Sequence, residues 1–187
     1  MFRKIYYCYC NLWNKLEFYR KHAEISKDVK IFGRVRLCGG DGLLKIKKNV
    51  RIVSDWRANP IGGEYTVFNL VWGGAITIGE NSGLSNTHIT ARVSVTIGKD
   101  VNIGSDCRIY DNDFHSVNYE DRIHGDKNIN AAPIMIKDGA FIGTRSIILK
   151  GVTIGERSIV GAGSVVTKSI PHDEVWAGNP AQFIKRL

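Results

Sequence analysis

The sequence lacks most of the signals by which a short chain declares its chemistry. Its four cysteines, Cys8, Cys10, Cys38 and Cys107, form no C-x-x-C pair, so neither a zinc-ribbon nor a thioredoxin-type redox motif is present. Nothing points to a disulfide framework, and a reducing cytoplasm is the expected location. No apolar run is long enough to span a bilayer, and the N-terminal stretch lacks a signal-peptide cleavage pattern. No G-x-S-x-G elbow occurs, which leaves a Ser-His-Asp hydrolase unsupported. Acidic residues are in deficit, with 18 Asp and Glu against 26 Lys and Arg and a net charge of +8. That excess favours an anionic partner. No helix-turn-helix, zinc-finger or RNA-binding signature accompanies it, so nucleic acid is not the expected one. A phosphate-rich cofactor or an anionic membrane surface suits the charge as well. A chain of 187 residues is one domain with room for a sizeable core.

What the chain does have is a six-residue beat. Aliphatic residues fall at Ile136, Ile142, Ile148, Ile154, Val160 and Val166, earlier at Ile97, Ile103 and Ile109, and at Ile78 and Leu84. Four positions after them come small or aliphatic residues such as Val101, Cys107, Ala140, Ser146, Val152, Ser158 and Ser164. A helix repeats near 3.6 and a simple strand at 2, so a period of six requires a repeated strand-turn unit. Gly139, Gly151, Gly163, Asn81, Asp100 and Asp106 fall where the chain must turn, and these residue types tolerate positive φ. Three units, about 18 residues, close a triangular coil, and successive coils stack at roughly 4.8 Å. One coil cannot bury its own core; stacking makes the core continuous. Cys107, at a small inward position, reads as a core thiol.

The beat divides the chain. Residues 2 to about 21 read as a helix, with Ile5, Tyr9, Leu12, Trp13 and Leu16 along one face. That helix is expected to pack on the coil or on a neighbouring subunit, or to lie on a membrane surface as aromatic and basic residues allow. A repeat domain follows over residues 24–187. Gly39–Gly42 breaks the beat, the aromatic segment from Asp55 to Gly74 reads as loops bulging outward, and one extra residue lies between Leu84 and Ile97. Residues 115–133 lose the period and read as an inserted loop, and the tail after Pro171 is expected to leave the coil.

This pattern resembles the hexapeptide-repeat acyltransferases over residues 25 to 187, most strongly from Ile136 to Leu187, including Gly161-Ala162-Gly163-Ser164-Val165-Val166-Thr167-Lys168 and Trp176-Ala177-Gly178-Asn179-Pro180-Ala181. Within that superfamily it is similar to the maltose, galactoside and capsular-saccharide O-acetyltransferases. The resemblance implies an all-β solenoid, a left-handed parallel β-helix. The left hand comes from the resemblance alone, since most parallel crossovers are right-handed. It also implies a homotrimer with sites between subunits, acetyl-CoA as acyl donor, and a sugar hydroxyl as acceptor, free or in a bacterial surface polysaccharide precursor.

Chemistry is expected where the beat breaks. His115 stands 18 residues after Ile97, where an inward aliphatic would fall, and it opens the insertion. An imidazole there is either satisfied in the core or displaced outward, and it carries a proton near neutral pH, as a general base must. Asp111 and Asp113 are near enough in sequence to orient it, and the catalytic pair is read as His115 with Asp113. The resemblance makes His115 the base that deprotonates the acceptor. It also assigns Thr144, Ala162, Thr167 and Lys168 to the cofactor, Lys168 at its phosphates. Phe141 matches a position beside the acceptor or the pantetheine arm, with core or interface packing an equal reading, and Asn86 is expected to bind the acceptor or the developing oxyanion. Acyl transfer is expected to be direct, since no activated nucleophile is evident. The γ-class carbonic anhydrases share the fold but use three histidines, two of them five residues apart. Here His88, His115 and His124 are 27 and 9 apart, so no metal is expected. An N-acetyltransferase of an amino sugar, an antibiotic acetyltransferase, and a non-catalytic scaffold with a basic membrane- or partner-binding surface remain as alternatives.

Overall fold

The computed structural model describes residues 2–63 and 65–187, apart from the side chain of Arg3. Helix α1 spans Phe2–Arg20. The first turn of the coil is β1 (Glu24–Ile25), β2 (Lys30–Gly33) and β3 (Arg36–Gly39). The second is β4 (Leu43–Ile46), β5 (Arg51–Ser54) and β6 (Val67–Leu70), and the third is β7 (Ala75–Ile78), β8 (Gly83–Ser85) and β9 (His88–Ala91). The fourth is β10 (Ser94–Ile97), β11 (Asn102–Ile103) and β12 (Arg108–Tyr110), after which an insertion carries the short helix α2 (Tyr119–Ile123). The fifth is β13 (Ile134–Ile136), β14 (Phe141–Ile142) and β15 (Ile147–Leu149), and the sixth is β16 (Thr153–Ile154), β17 (Ile159–Val160) and β18 (Val165–Val166). Strands β19 (Glu174–Gly178) and β20 (Ala181–Arg186) complete the chain.

Each strand from β1 to β15 pairs in parallel with the strand three further along, so the chain visits three sheets in rotation. We call them A (β1-β4-β7-β10-β13-β16), B (β2-β5-β8-β11-β14-β17-β19-β20) and C (β3-β6-β9-β12-β15-β18). The register puts like on like. Ile46, Ile78, Ile97, Ile136 and Ile154 form one column. Leu37, Phe68, Ile89, Ile109, Ile148 and Val166 form another. All but Leu37 in these two columns are at most 1% exposed. Each such side chain contributes roughly 1.5–3 kcal/mol of burial, and β-branched residues suit the pleated surface. The small positions are buried as well, Cys107, Ser146, Ser158 and Ser164 completely.

The corners turn as expected: Asn81, Asp100, Asp106, Gly139, Gly151 and Gly163 all have φ between 57° and 75°. At the A–B corner Asn49 donates to Asn81 at 3.1 Å, and Asn81 donates to Asp100 at 3.0 Å. The extra residue between Leu84 and Ile97 resolves into two changes. The register Leu84↔Ile103 and Ile89↔Ile109 leaves the third turn one residue short at the B–C corner. The register Ile97↔Ile78 then makes it longer at the C–A corner. Asp111, fully buried, closes the lengthened corner by accepting the N–H groups of Arg92 and Val93, both at 2.7 Å.

Three expectations are corrected. The aromatic bulge is confined to residues 55–66, because Val67–Leu70 is a strand with Phe68 in the core. Its alternation of inward Phe68 and Leu70 is period two, which a search for six overlooks. The tail does not leave the coil: Ile170 bridges Ile154, Val175 and Trp176 pair with Ile159 and Val160, and β20 folds back antiparallel on β19. Third, α1 meets the coil through Cys10, Asn14 and Phe18, all buried, while of the expected stripe Ile5, Tyr9, Leu12 and Leu16 are exposed and Trp13 alone is half-buried, under Arg34 at 4.1 Å. Asn14 explains the choice of face. Its amide donates to the Gly33 carbonyl and accepts from the Val35 N–H, both at 2.9 Å. It thereby supplies the pairing that the first turn lacks from any preceding strand.

Candidate functional site

His115 lies outside the core, in the insertion at the C–A corner. Phe114 enters the left-handed region (φ 61°), its N–H held by Asn112 Oδ1 at 2.9 Å, and packs edge-on against Tyr110 with 5.1 Å between ring centroids. The turn sends His115 outward, and its side chain is 71% exposed. Of the two outcomes open to an imidazole on the core phase, outward displacement is the one observed.

The acid that meets His115 is Asp126. One carboxylate oxygen takes the Nδ1 hydrogen bond, and the other accepts the Ser116 N–H at 2.6 Å. A carboxylate can only accept, so Nδ1 donates, and in the neutral ring the lone pair is on Nε2. The Ser116 N–H first, and then the His115 hydrogen bond, hold the Asp126 carboxyl below the usual carboxylate range. The pairing of His115 with Asp113 is therefore corrected. Asp113 binds Lys150 Nζ at 2.5 Å, tying the insertion to the following turn, and Asp111 is committed to its corner. No sequence signal marked Asp126. It lies 11 residues from His115 in an aperiodic segment, brought round by left-handed residues Gly125 (φ 98°) and Asp126 (φ 58°). Helix α2 carries a local sequence signal, since Asn118 caps it by accepting the Asp121 N–H at 3.1 Å.

The other candidates fall into two groups. Asn86, Thr144 and Ala162 share the B–C corner. A Cβ on Gly104 would stand 2.6 Å from the Thr144 nitrogen, and one on Gly143 2.5 Å from that of Ala162, so these corners stack directly. Asn86 is fully buried with φ 47° at the shortened turn. The 55–66 loop lies on it, since a Cβ on Gly62 would come within 2.6 Å of its Cγ. Phe141 is on the adjoining outer face of sheet B, 46% exposed and in register with Asn102. Thr167 and Lys168 are exposed at the C–A corner after β18, and among the described residues no carboxylate pairs with Lys168. One chain thus keeps the imidazole and Lys168 on one edge of its triangular section, and Asn86, Phe141, Thr144 and Ala162 on or beside another.

Cys107 offers no nucleophile. It is fully buried, donates to the Gly143 carbonyl at 3.2 Å, and burial pushes its thiol up to about 11.

Comparison with known proteins accords with this architecture. Residues 133–168 match the family described as bacterial transferase hexapeptide (six repeats). The galactoside O-acetyltransferase of Escherichia coli K12 is 38% identical over 117 residues, which are 62% of this chain and 56% of that one. A solved hexapeptide-repeat acetyltransferase of Vibrio cholerae O1 biovar eltor, complexed with acetyl coenzyme A, is 35% identical with a TM-score of 0.58, covering 64% of each chain. The solved polySia-specific acetyltransferase NeuO is 26% identical with a TM-score of 0.61, covering 88% of this chain and 80% of that one. The chain spans little more than half, or less, of the length of the curated relatives it matches.

Proposed function

We propose that this chain, which carries the hexapeptide repeats of the bacterial transferases, is an acetyl-CoA-dependent O-acetyltransferase of a sugar hydroxyl serving surface polysaccharide synthesis. It acts as a homotrimer of left-handed β-helices. The observation that carries the reading is the Asp126-held imidazole of His115, with Nε2 unengaged at an exposed corner of a coil like those of acetyltransferases.

Nε2 takes the proton of the acceptor hydroxyl as that oxygen attacks the thioester carbonyl. Asp126 steadies the imidazolium that results. The C–S bond breaks, and the imidazolium returns its proton to the departing thiolate. No acyl-enzyme intervenes, in keeping with the raised pKa of Cys107. The small, exposed corner at Ala162 and the uncompensated cation of Lys168 flank β18 and suit the thioester arm and the phosphates of the donor. Because His115 and the Asn86–Ala162 corner lie on different edges of one chain, we place each site between two copies. The outward face of α1, with Phe2, Ile5, Leu12 and Leu16 beside Lys4 and Lys15, suits peripheral contact with an anionic membrane.

The test is release of free coenzyme A from acetyl-CoA across a panel of sugars, amino sugars and aminoglycosides. Turnover on hydroxyl acceptors supports the proposal. Turnover confined to amines makes the chain an N-acetyltransferase, and failure to bind acetyl-CoA makes it a scaffold.

A further inference from the structure

The outer face of sheet B has a gap that the fold does not require. The outward row runs Lys30, Arg51, Gly83, Asn102 and Phe141 in parallel register. Gly83 is an ordinary strand residue without a positive φ. A Cβ there would meet nothing nearer than Asn102 Oδ1 at 3.4 Å, an ordinary contact. Other glycines on this coil are forced, since a Cβ on Gly79, Gly104 or Gly143 would strike backbone within 2.6 Å. Glycine weakens a strand and marks places where something approaches closely. Here it leaves a cleft of about 280 Å³, with Arg51, Gly83, Ser85 and Asn102 along its floor and Asn59 of the 55–66 loop on its wall. That volume is just below the range of drug-sized ligand sites, about 300–1,000 Å³, and suits a single small ring.

The cleft is polar and carries a single charge sign. None of its described lining residues is acidic. Arg51 lies over the Phe32 ring at 4.9 Å, and no described carboxylate pairs with it. Ser85 and Asn102 add a hydroxyl and an amide to the lining. Each strand step is about 4.8 Å, so a ring seated over Gly83 reaches Asn102 on one side and Arg51 on the other. Phe141, one step beyond Asn102, offers an exposed apolar face toward the proposed acyl site.

We infer that this cleft binds an anionic sugar unit of the acceptor, its hydroxyls on Asn102 and Ser85 and its anionic group on Arg51, with Gly83 kept bare to admit the ring. The inference rests on the acetyltransferase reading for the word acceptor, but its test does not need turnover. Calorimetric titration of the full-length protein, without acetyl-CoA, compares p-nitrophenyl glucoside, p-nitrophenyl glucuronide and the glucoside 6-phosphate. An anionic probe should bind roughly tenfold or more tighter than the neutral one, as a charge-assisted hydrogen bond implies. Preference for carboxylate or phosphate then identifies the group. Arg51→Met should erase that preference, and Gly83→Val should weaken every probe. Both variants should keep the native melting temperature and acetyl-CoA affinity. Gly83→Ala serves as a milder filling should the valine disturb the strand. Equal binding of neutral and anionic probes, no binding of any, or unchanged binding on filling Gly83 overturns the inference. A cleft that behaves as stated in a protein without acetyl transfer would overturn the proposed function and leave the inference standing.

Discussion

At the scale of the residue, three acids around the insertion, two of them close to His115 in sequence and one distant, take three separate tasks. Asp111 closes a corner, Asp113 anchors the loop through Lys150, and Asp126 holds His115. Their variants should differ accordingly. Asp126→Ala should lower turnover with little change in the KM for acetyl-CoA, since it acts on the base and not on the donor. Asp111→Ala strips the acceptor from two buried-corner N–H groups and should cost about 1–3 kcal/mol of stability, read as a lower melting temperature. The depressed carboxyl of Asp126 also sets a pH dependence. Its contribution to an ordered insertion is complete above the unfolded Asp range of about 3.9 and is lost as pH falls through the lower folded value. Protection of the Ser116 amide from hydrogen exchange should track that loss, and Asp126→Asn should remove the pH dependence. Cys107 should resist alkylation at neutral pH in the folded protein, and Cys107→Ala should keep its turnover.

At the scale of the element, the coil was legible and its attachments were not. The beat of Ile136 to Val166 names the inward residue of every strand it covers, because each turn repeats the same steric problem against the turn beside it. Phe68 and Leu70 escaped because a loop on one side and a glycine turn on the other hide their phase. His115 was legible as an interruption, but its partner was not, since Asp126 is brought back by a loop path with no period. Helix α1 shows a further limit. The stripe of Ile5, Tyr9, Leu12 and Leu16 is a real amphipathic face, yet the coil takes the opposite one, because Asn14 can satisfy the open end of the first turn and an aliphatic residue cannot. Leu12→Glu with Leu16→Glu should therefore leave the melting temperature unchanged. If the outward face rests on lipid, the same change should abolish sedimentation with anionic vesicles; retained sedimentation would remove the helix from that role.

At the scale of the whole molecule, the proposed chemistry needs more than one copy. A single chain holds His115 at the C–A corner and the Thr144–Ala162 column at the B–C corner, with the width of sheet C between them. Light scattering should give about three times the 20.9 kDa chain mass. His115→Ala should lower turnover by about 10²–10⁴-fold without loss of fold or of acetyl-CoA binding, because the side chain is exposed and outside the stack. The most direct test joins these claims in one assembly. Ala162→Trp, at an exposed corner, should block the donor while leaving His115 intact. Co-expressed His115→Ala and Ala162→Trp chains, each inactive alone, are predicted to form mixed trimers that recover about a quarter of native turnover, since each site draws its two halves independently from different copies. Mixed trimers that form but stay inactive would contradict a site shared between subunits.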